Sequence, residues 1–313
     1  MRRAARFAVF IPAILCSGWI ATIALADDAG APPQSVAQVS NALSAIAPAF
    51  DPKKRKIAVG ASGSIEEAIG AHVPTKFHAV TEGALALVVP NAKCPAEMAL
   101  SGGGRFCIDR WEDAVIEKLP GETEKPHAIY EPLSSTHVYV AKSAAGVTPQ
   151  AYVSGAEALA ACHNAGKRLC EPVEWRAACG GSNGYAFPYG PTRIAKKCKD
   201  YGAAPMVVYH ASSLARGFDN VELNDPRNIQ LAGTVAKSGA AADCVTDEGV
   251  FDMVGNLDEW TADPNGTFQG GYWLDTSQHG DGCAYRTIGH DFGYHDYSLG
   301  FRCCADPVGD SVP

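Results

Sequence analysis

The stretch from Phe251 to Trp260 reads FDMVGNLDEW. Asp252 and Glu259 bracket a Gly255-Asn256 turn, and a tight turn of this kind points several backbone carbonyls inward beside the two carboxylates. Oxygen ligands of this mixed type suit calcium. The alternative is a turn held by Asp and Asn side-chain hydrogen bonds with no ion. Trp260, which closes the stretch, and Trp175 further upstream are expected as core rings.

Upstream, two segments read as helix. Ser154 with Glu157 three positions on forms a capping box ahead of AEALAACHNA, and Gly166 supplies the left-handed stop. The second helix opens at Pro172, which is preorganised for a first turn, and runs through VEWRAAC to Gly180. The remainder is short apolar runs punctuated by Gly and Pro, which predicts a loop-rich α+β domain in need of covalent staples.

The N-terminus runs from three arginines through a long apolar segment to Ala24-Leu25-Ala26, the pattern of a secretory signal cut before Asp27. A retained membrane anchor is the other reading, because the apolar run is long for a signal. Cys16 follows the bulky Leu15, so it is not a convincing lipid-attachment cysteine, and it leaves with the signal. Removing the signal takes Arg2, Arg3 and Arg6 and no acid, so 26 basic residues become 23 against 34 acidic ones. That balance argues against nucleic acid as a partner. The one basic run, Lys53 to Lys56, reads as a solvated segment. Export leaves the protein periplasmic, in the cell envelope or extracellular, with no membrane contact after cleavage. Ten of the 11 cysteines remain, an even number, which in an exported chain favours five disulfides over thiols or zinc.

The expected organisation is a signal over 1–26, a linker and short N-terminal extension over 27–93, one domain over 94–306 and a tail over 307–313. Within the extension, Ala84 to Val89 (ALALVV) is long enough for a strand.

Four stretches, GKRLCEPVEWRAACGG (166–181), FDMVGNLDEW (251–260), GGYW (270–273) and GFRCCAD (300–306), together with CIDRWE (107–112) and YAFPYG (185–190), resemble the sulfatase-modifying-factor family, founded by the formylglycine-generating enzyme. The resemblance implies a C-type-lectin-like fold, often bound to calcium. Carried over position by position, the calcium ligands would be Asp252, the carbonyls of Gly255 and Leu257, and Glu259. At the family's second calcium site Lys199 falls near a position where relatives carry an Asn ligand, and its charge would repel the ion.

The resemblance also pairs Cys179 with Cys283 and Cys162 with Cys303. Of the remaining six, Cys94 and Cys107 are a local pair, Cys198 with Cys244 would staple the central loops, and Cys170 with Cys304 would parallel the Cys162 bond.

Active formylglycine-generating enzymes carry two copper-binding cysteines after the GG. Here Leu274-Asp275 and the stretch Gln278 to Gly280 fall at those places, and Tyr272 stands where the relatives have serine. Copper(I) needs soft thiolates, so copper is not expected. His279, His290 and His295, with nearby Asp, offer a lesser case for iron or zinc, against the alternative that they cap loops. Iron-dependent relatives draw their histidines from a helical domain this chain lacks. Two function classes remain. One is a divergent calcium-stabilised binding or accessory module, with a groove beside Tyr272, Trp273, Asp275 and His290 for a peptide, protein or small-molecule ligand. The other is an oxidoreductase acting on a cysteine-containing or thiol substrate.

Overall fold

The structure is a computed structural model that describes residues 85–118 and 124–309. The expected signal, the Lys53 to Lys56 run and most of the N-terminal extension lie outside the described residues. Of the apolar run Ala84 to Val89, residues 85–89 form no strand. Leu87 and Val88 stand exposed instead, and the segment makes a single backbone bond among the described residues, Val89 N to Gly104 O at 3.3 Å.

Three small sheets carry the domain. Strands β1 (Met98–Ser101), β2 (Phe106–Asp109), β6 (Arg168–Leu169) and β11 (Cys303–Ala305) form one, in the order β1-β2-β11-β6. Strands β7 (Asp258–Trp260), β8 (Phe268–Gln269), β9 (Arg286–Thr287) and β10 (Leu299–Phe301) form the second, in the order β10-β7-β8-β9. A third sheet places β3 (Asp113–Lys118) between β4 (Lys125–Pro126) and β5 (Val138–Ser143). GFRCCAD therefore bridges two sheets. Its first half pairs in parallel with β7, matching Gly300 to Glu259, and its second half pairs antiparallel with β2 and β6. Arg302 sits at the crossing between them.

Helix α1 (Gly155–Asn164) starts as its sequence requires. Ser154 Oγ accepts from Glu157 N at 3.3 Å, and Glu157 Oε2 accepts from Ser154 N at 2.8 Å. Gly166 takes φ +72°, the left-handed stop. Ala158, Ala161 and Cys162 face the core, at helical spacing, in a cluster with Trp260, Leu299 and Phe301. Helix α2 (Pro172–Gly180) buries Trp175, Ala178 and Cys179 in the same way. Three short helices follow that the apolar pattern did not announce: α3 (Pro205–Tyr209), α4 (Asn220–Leu223) and α5 (Arg227–Gln230). A signal for α4 is present in the sequence, since Asp219 caps it and Glu222 closes the capping box.

Glu171, just ahead of α2, gives a pH-dependent handle. Burial, reinforced by the Glu174 carboxylate, pushes Glu171 up to about 7 from its ordinary 4.5. A carboxyl raised in the folded state contributes stability that is present below about pH 4.5 and lost as pH rises through about 7. Glu171→Gln should therefore be more stable than wild type at pH 8, by about 1 kcal/mol after solvent screening, and no more stable at pH 4. Urea unfolding at the two pH values checks this, and an equal difference at both would count against it.

Candidate functional site

Successive side chains of a strand point to opposite faces, so β7 sends Asp258 and Glu259 into different surroundings. On one face, the wholly buried Arg302 grips Glu259 with Nε on Oε2 and Nη2 on Oε1, each at 2.6 Å. Arg302 also donates to the carbonyls of Asp109 at 3.1 Å and Phe251 at 2.9 Å. Trp175 Nε1 adds another donor to Glu259 Oε2 at 2.7 Å. Burial alone would lower the guanidinium, and the Glu259 charge outweighs it and holds Arg302 above its usual range.

Two more buried acids stand nearby. Glu112 accepts from Asn256 Nδ2 at 2.6 Å and from Leu257 N at 3.2 Å. Asp252, at φ +56°, accepts from Gly239 N at 2.5 Å. Burial, then repulsion from Asp252 and Glu259, pushes Glu112 well above the usual carboxylate range, and burial pushes Asp252 up to about 6.

A calcium shell of Asp252, the carbonyls of Gly255 and Leu257, and Glu259 needs the Glu259 carboxylate facing the ion. Both of its oxygens face a guanidinium instead, and a divalent cation beside Arg302 would meet a like charge at short range in a buried setting. The residues do not fit the expected shell. Asn256 holds the turn through side-chain bonds, accepting from Ala236 N at 2.8 Å and donating to Ala236 O at 3.2 Å, the arrangement of the ion-free alternative. Lys199 Nζ donates to the carbonyls of Tyr201 and Gly233, each at 2.8 Å.

The other face of β7 presents Asp258, which the sequence did not single out, to a cluster that includes the expected groove residues Tyr272, Trp273 and Asp275. Asp258 is buried, and its Oδ1 has no hydrogen-bond partner. Burial, then the charges of Asp275 and Asp296, pushes it well above its ordinary range. Asp296 accepts from Tyr294 OH at 2.6 Å, and Asp275 accepts from Tyr285 OH at 3.0 Å. Tyr272, Trp273 and Tyr297 form a triangle of rings with centroids 5.3 to 6.1 Å apart. Burial raises the hydroxyls of Tyr272, Tyr285, Tyr294 and Tyr297, and the surrounding carboxylates add to the effect.

The double glycine positions this corner. Both residues have positive φ, +93° and +71°; a Cβ at Gly270 would lie 2.9 Å from Met253 O and 3.0 Å from the Trp175 ring, and one at Gly271 would collide with Asp275 O. Tyr272 and Asp275 then close a tight turn by exchanging backbone bonds of 2.9 and 3.0 Å.

Of the four expected groove residues, Tyr272 and Asp275 are half-buried beside this cluster. Trp273 is wholly buried, with Nε1 on Ala203 O at 2.8 Å, so it is a core ring and not a groove wall. His290 lies against the rings of Phe268 and Tyr294, at 4.8 and 4.9 Å, where burial lowers its pKa. His279 meets the edge of Tyr285, and His295 pairs with Asn224 Oδ1 at 2.7 Å. The three histidines do not converge. Among the described residues the one group of three metal-ligating side chains close enough to share an ion is Asp113, Cys162 and Cys303, and those two sulfurs are bonded to each other.

All ten cysteines of the described residues are in disulfides: Cys94–Cys107, Cys162–Cys303, Cys170–Cys304, Cys179–Cys283 and Cys198–Cys244. Residues 108–307 match the family described as Sulfatase-modifying factor enzyme 1-like domain. The chain belongs to this sulfatase-modifying-factor family. No curated protein matches it. Among solved structures it is similar to a Major Tropism Determinant I1 variant at 15% identity, covering 70% of this chain and 55% of that one, with a TM-score of 0.40. A variable protein of Treponema denticola matches at 14% identity over 68% of this chain and 100% of that one, with a TM-score of 0.36. CarF matches at 19% over 45% and 48%, with a TM-score of 0.28. The chain spans about half the length of the Major Tropism Determinant. After the double glycine the chain reads Leu274-Asp275 and Gln278 to Gly280, with no cysteine before Cys283, which is bonded to Cys179.

Proposed function

We propose that this sulfatase-modifying-factor domain is an exported binding or accessory module that does not make formylglycine with copper. The observation that carries the reading is the state of sulfur at the corner after Gly271. The two places that hold thiolates in active relatives offer Leu274-Asp275 and Gln278 to Gly280, and the nearby Cys283 is half of a disulfide. Copper(I) prefers soft thiolates; carboxylate and amide groups do not replace them, and the single imidazole of His279 does not restore a pair of thiolates. Five disulfides support an exported protein, and no described helix is long and apolar enough to cross a membrane. Structural stability in this reading comes from the disulfides and the Arg302–Glu259 pair, without calcium or iron.

Copper-loaded mature protein incubated with a sulfatase-type cysteine peptide should leave the thiol unchanged by mass spectrometry. Aldehyde formation would instead establish the oxidoreductase reading. Aldehyde that disappears in Cys283→Ala would show that Cys283 acts as a thiolate.

A further inference from the structure

An open cleft of about 430 Å³ lies between the β1–β2 turn and the C-terminal end of α2, and none of its lining residues belongs to the segment after Gly271. That volume is within the range of small-molecule sites. Its walls are largely bare backbone, with Gly102 and Gly103 on the side of the turn and Gly180 and Gly181 on the side of the helix end. A Cβ at Gly102 would collide with the Phe106 ring, and one at Gly181 with Asp247 Oδ1. Side chains are thereby kept off these two positions, and main chain stays open to a ligand.

Three charged side chains line the same cleft: Arg105 from the turn, Arg176 from α2 and Glu248 from the loop before FDMVGNLDEW. Arg105 Nη1 donates to Gly102 O at 2.5 Å, a bond within its own turn, and the rest of its guanidinium has no carboxylate partner among the described residues. Arg176 Nη1 donates to Gln269 Oε1 at 3.4 Å. Glu248 Oε2 accepts from Ser101 Oγ, and its Oε1 has no hydrogen-bond partner among the described residues. Burial holds Glu248 above its ordinary range in spite of that bond. The adjacent Asp247 is taken up by Ser182 N and Asn183 Nδ2, each at 3.0 Å, which fixes the loop after α2. Paired guanidiniums suit a carboxylate, which they meet with N–H donors in matching geometry. Glu248 repels a second negative charge and keeps an oxygen for an N–H, so a ligand with one acid and a nitrogen beside it fits better than a dianion such as phosphate. Tyr185, 39% exposed, offers a ring to the apolar remainder of such a ligand.

We propose that this cleft binds the carboxyl end of an amino acid or peptide, with Arg105 and Arg176 on the carboxylate and Glu248 accepting from the nitrogen of the same residue. This rests on reading the domain as a binding module. The nitrogen is an ammonium in a free amino acid and an amide N–H at a peptide C-terminus, and both present the same acid-and-donor pair.

Calorimetric titration of the mature protein with alanine and with Nα-acetyl-alanyl-alanine tests it. Nα-acetyl-alanyl-alanine amide, which lacks the carboxylate, and propionate, which lacks the nitrogen, are the controls. At least one of the first two probes should bind, the amide should not, and propionate should bind at least tenfold more weakly. Preference for the acetylated dipeptide would identify a peptide C-terminus, and preference for alanine a free amino acid. Arg105→Gln should weaken binding at least tenfold, which is about 1.4 kcal/mol. Glu248→Gln should narrow the gap between the better probe and propionate, a change that a merely structural role would not produce. Arg105 and Glu248 are both half-buried at the cleft, so the two variants are expected to fold. Absence of binding by both probes, binding of the amide or of propionate as tight as theirs, or unchanged affinities in both variants would overturn the assignment. Such failure leaves the peptide-oxidation result untouched, so the two readings fall separately.

Discussion

Glu259→Ala is expected to lower the unfolding free energy by about 3–5 kcal/mol, a large part of the total for a domain of this size. The loss arises because Arg302 stays fully buried between β10 and β11 after its counter-charge is removed. Its remaining hydrogen-bond partners are the carbonyls of Asp109 and Phe251, and Glu112 and Asp252 act on it only through space, without a direct ion pair. Trp175 Nε1 is orphaned at the same time. A paired replacement, Glu259→Leu with Arg302→Met, should recover much of the loss, since apolar groups of similar volume carry no unpaired charge. Guanidinium denaturation gives the comparison, and a Glu259→Ala variant within 1 kcal/mol of wild type would show that the pair is not formed. Calcium and a chelator should leave the melting of both proteins in place. Calcium stabilisation present in wild type and absent in Glu259→Ala would restore Glu259 to the role of calcium ligand.

Removing the Cys162–Cys303 bond is the second large effect. Its partners are 141 residues apart, but the parallel Cys170–Cys304 bond already joins the same two segments. In the chain-entropy description its own removal therefore frees a loop of only about 10 residues and about 3 kcal/mol. Cys94–Cys107, with a separation of 13, contributes a similar amount, about 3 kcal/mol. Replacing both cysteines of each pair by serine should still leave the Cys162–Cys303 variant with the lower denaturation midpoint, because of where its sulfurs lie. Both sulfurs of Cys162–Cys303 sit in the core beside Leu169 and Phe301, so two hydroxyls left there add desolvation cost to the entropic loss. Denatured wild-type protein should show no titratable thiol. Two or more thiols per chain, or equal midpoints for the two variants, would contradict the assignment of these staples.

Much of this was legible beforehand because it depends on local chemistry. Ser154 with Glu157 and Gly166 delimit α1 by bonding their own neighbours, and Pro172 starts α2 by its ring geometry. The ordered motifs carry the family, whose match over 108–307 lies almost wholly within the domain expected over 94–306. Even α4 could have been read from Asp219 and Glu222, a capping box passed over because its four residues carry no apolar stripe. The run at 85–89 shows the limit of a short apolar run read without periodicity, since it forms no strand and leaves Leu87 and Val88 exposed.

The site divided along a different line. The sequence by itself determined that no cysteine stands between Gly271 and Cys283, because that is a matter of residue identity at a motif position. It also determined that a Gly-Asn turn would stand between Asp252 and Glu259. Only the tertiary structure decided what those carboxylates face. Arg302 lies 43 residues from Glu259 in sequence, and it is the parallel pairing of β10 with β7 that brings the two together. The same pleat turns Asp258 the other way, toward tyrosines and acids from the segment after Gly271. Charge partners across a sheet are set by strand register, a long-range property that composition and local spacing do not encode.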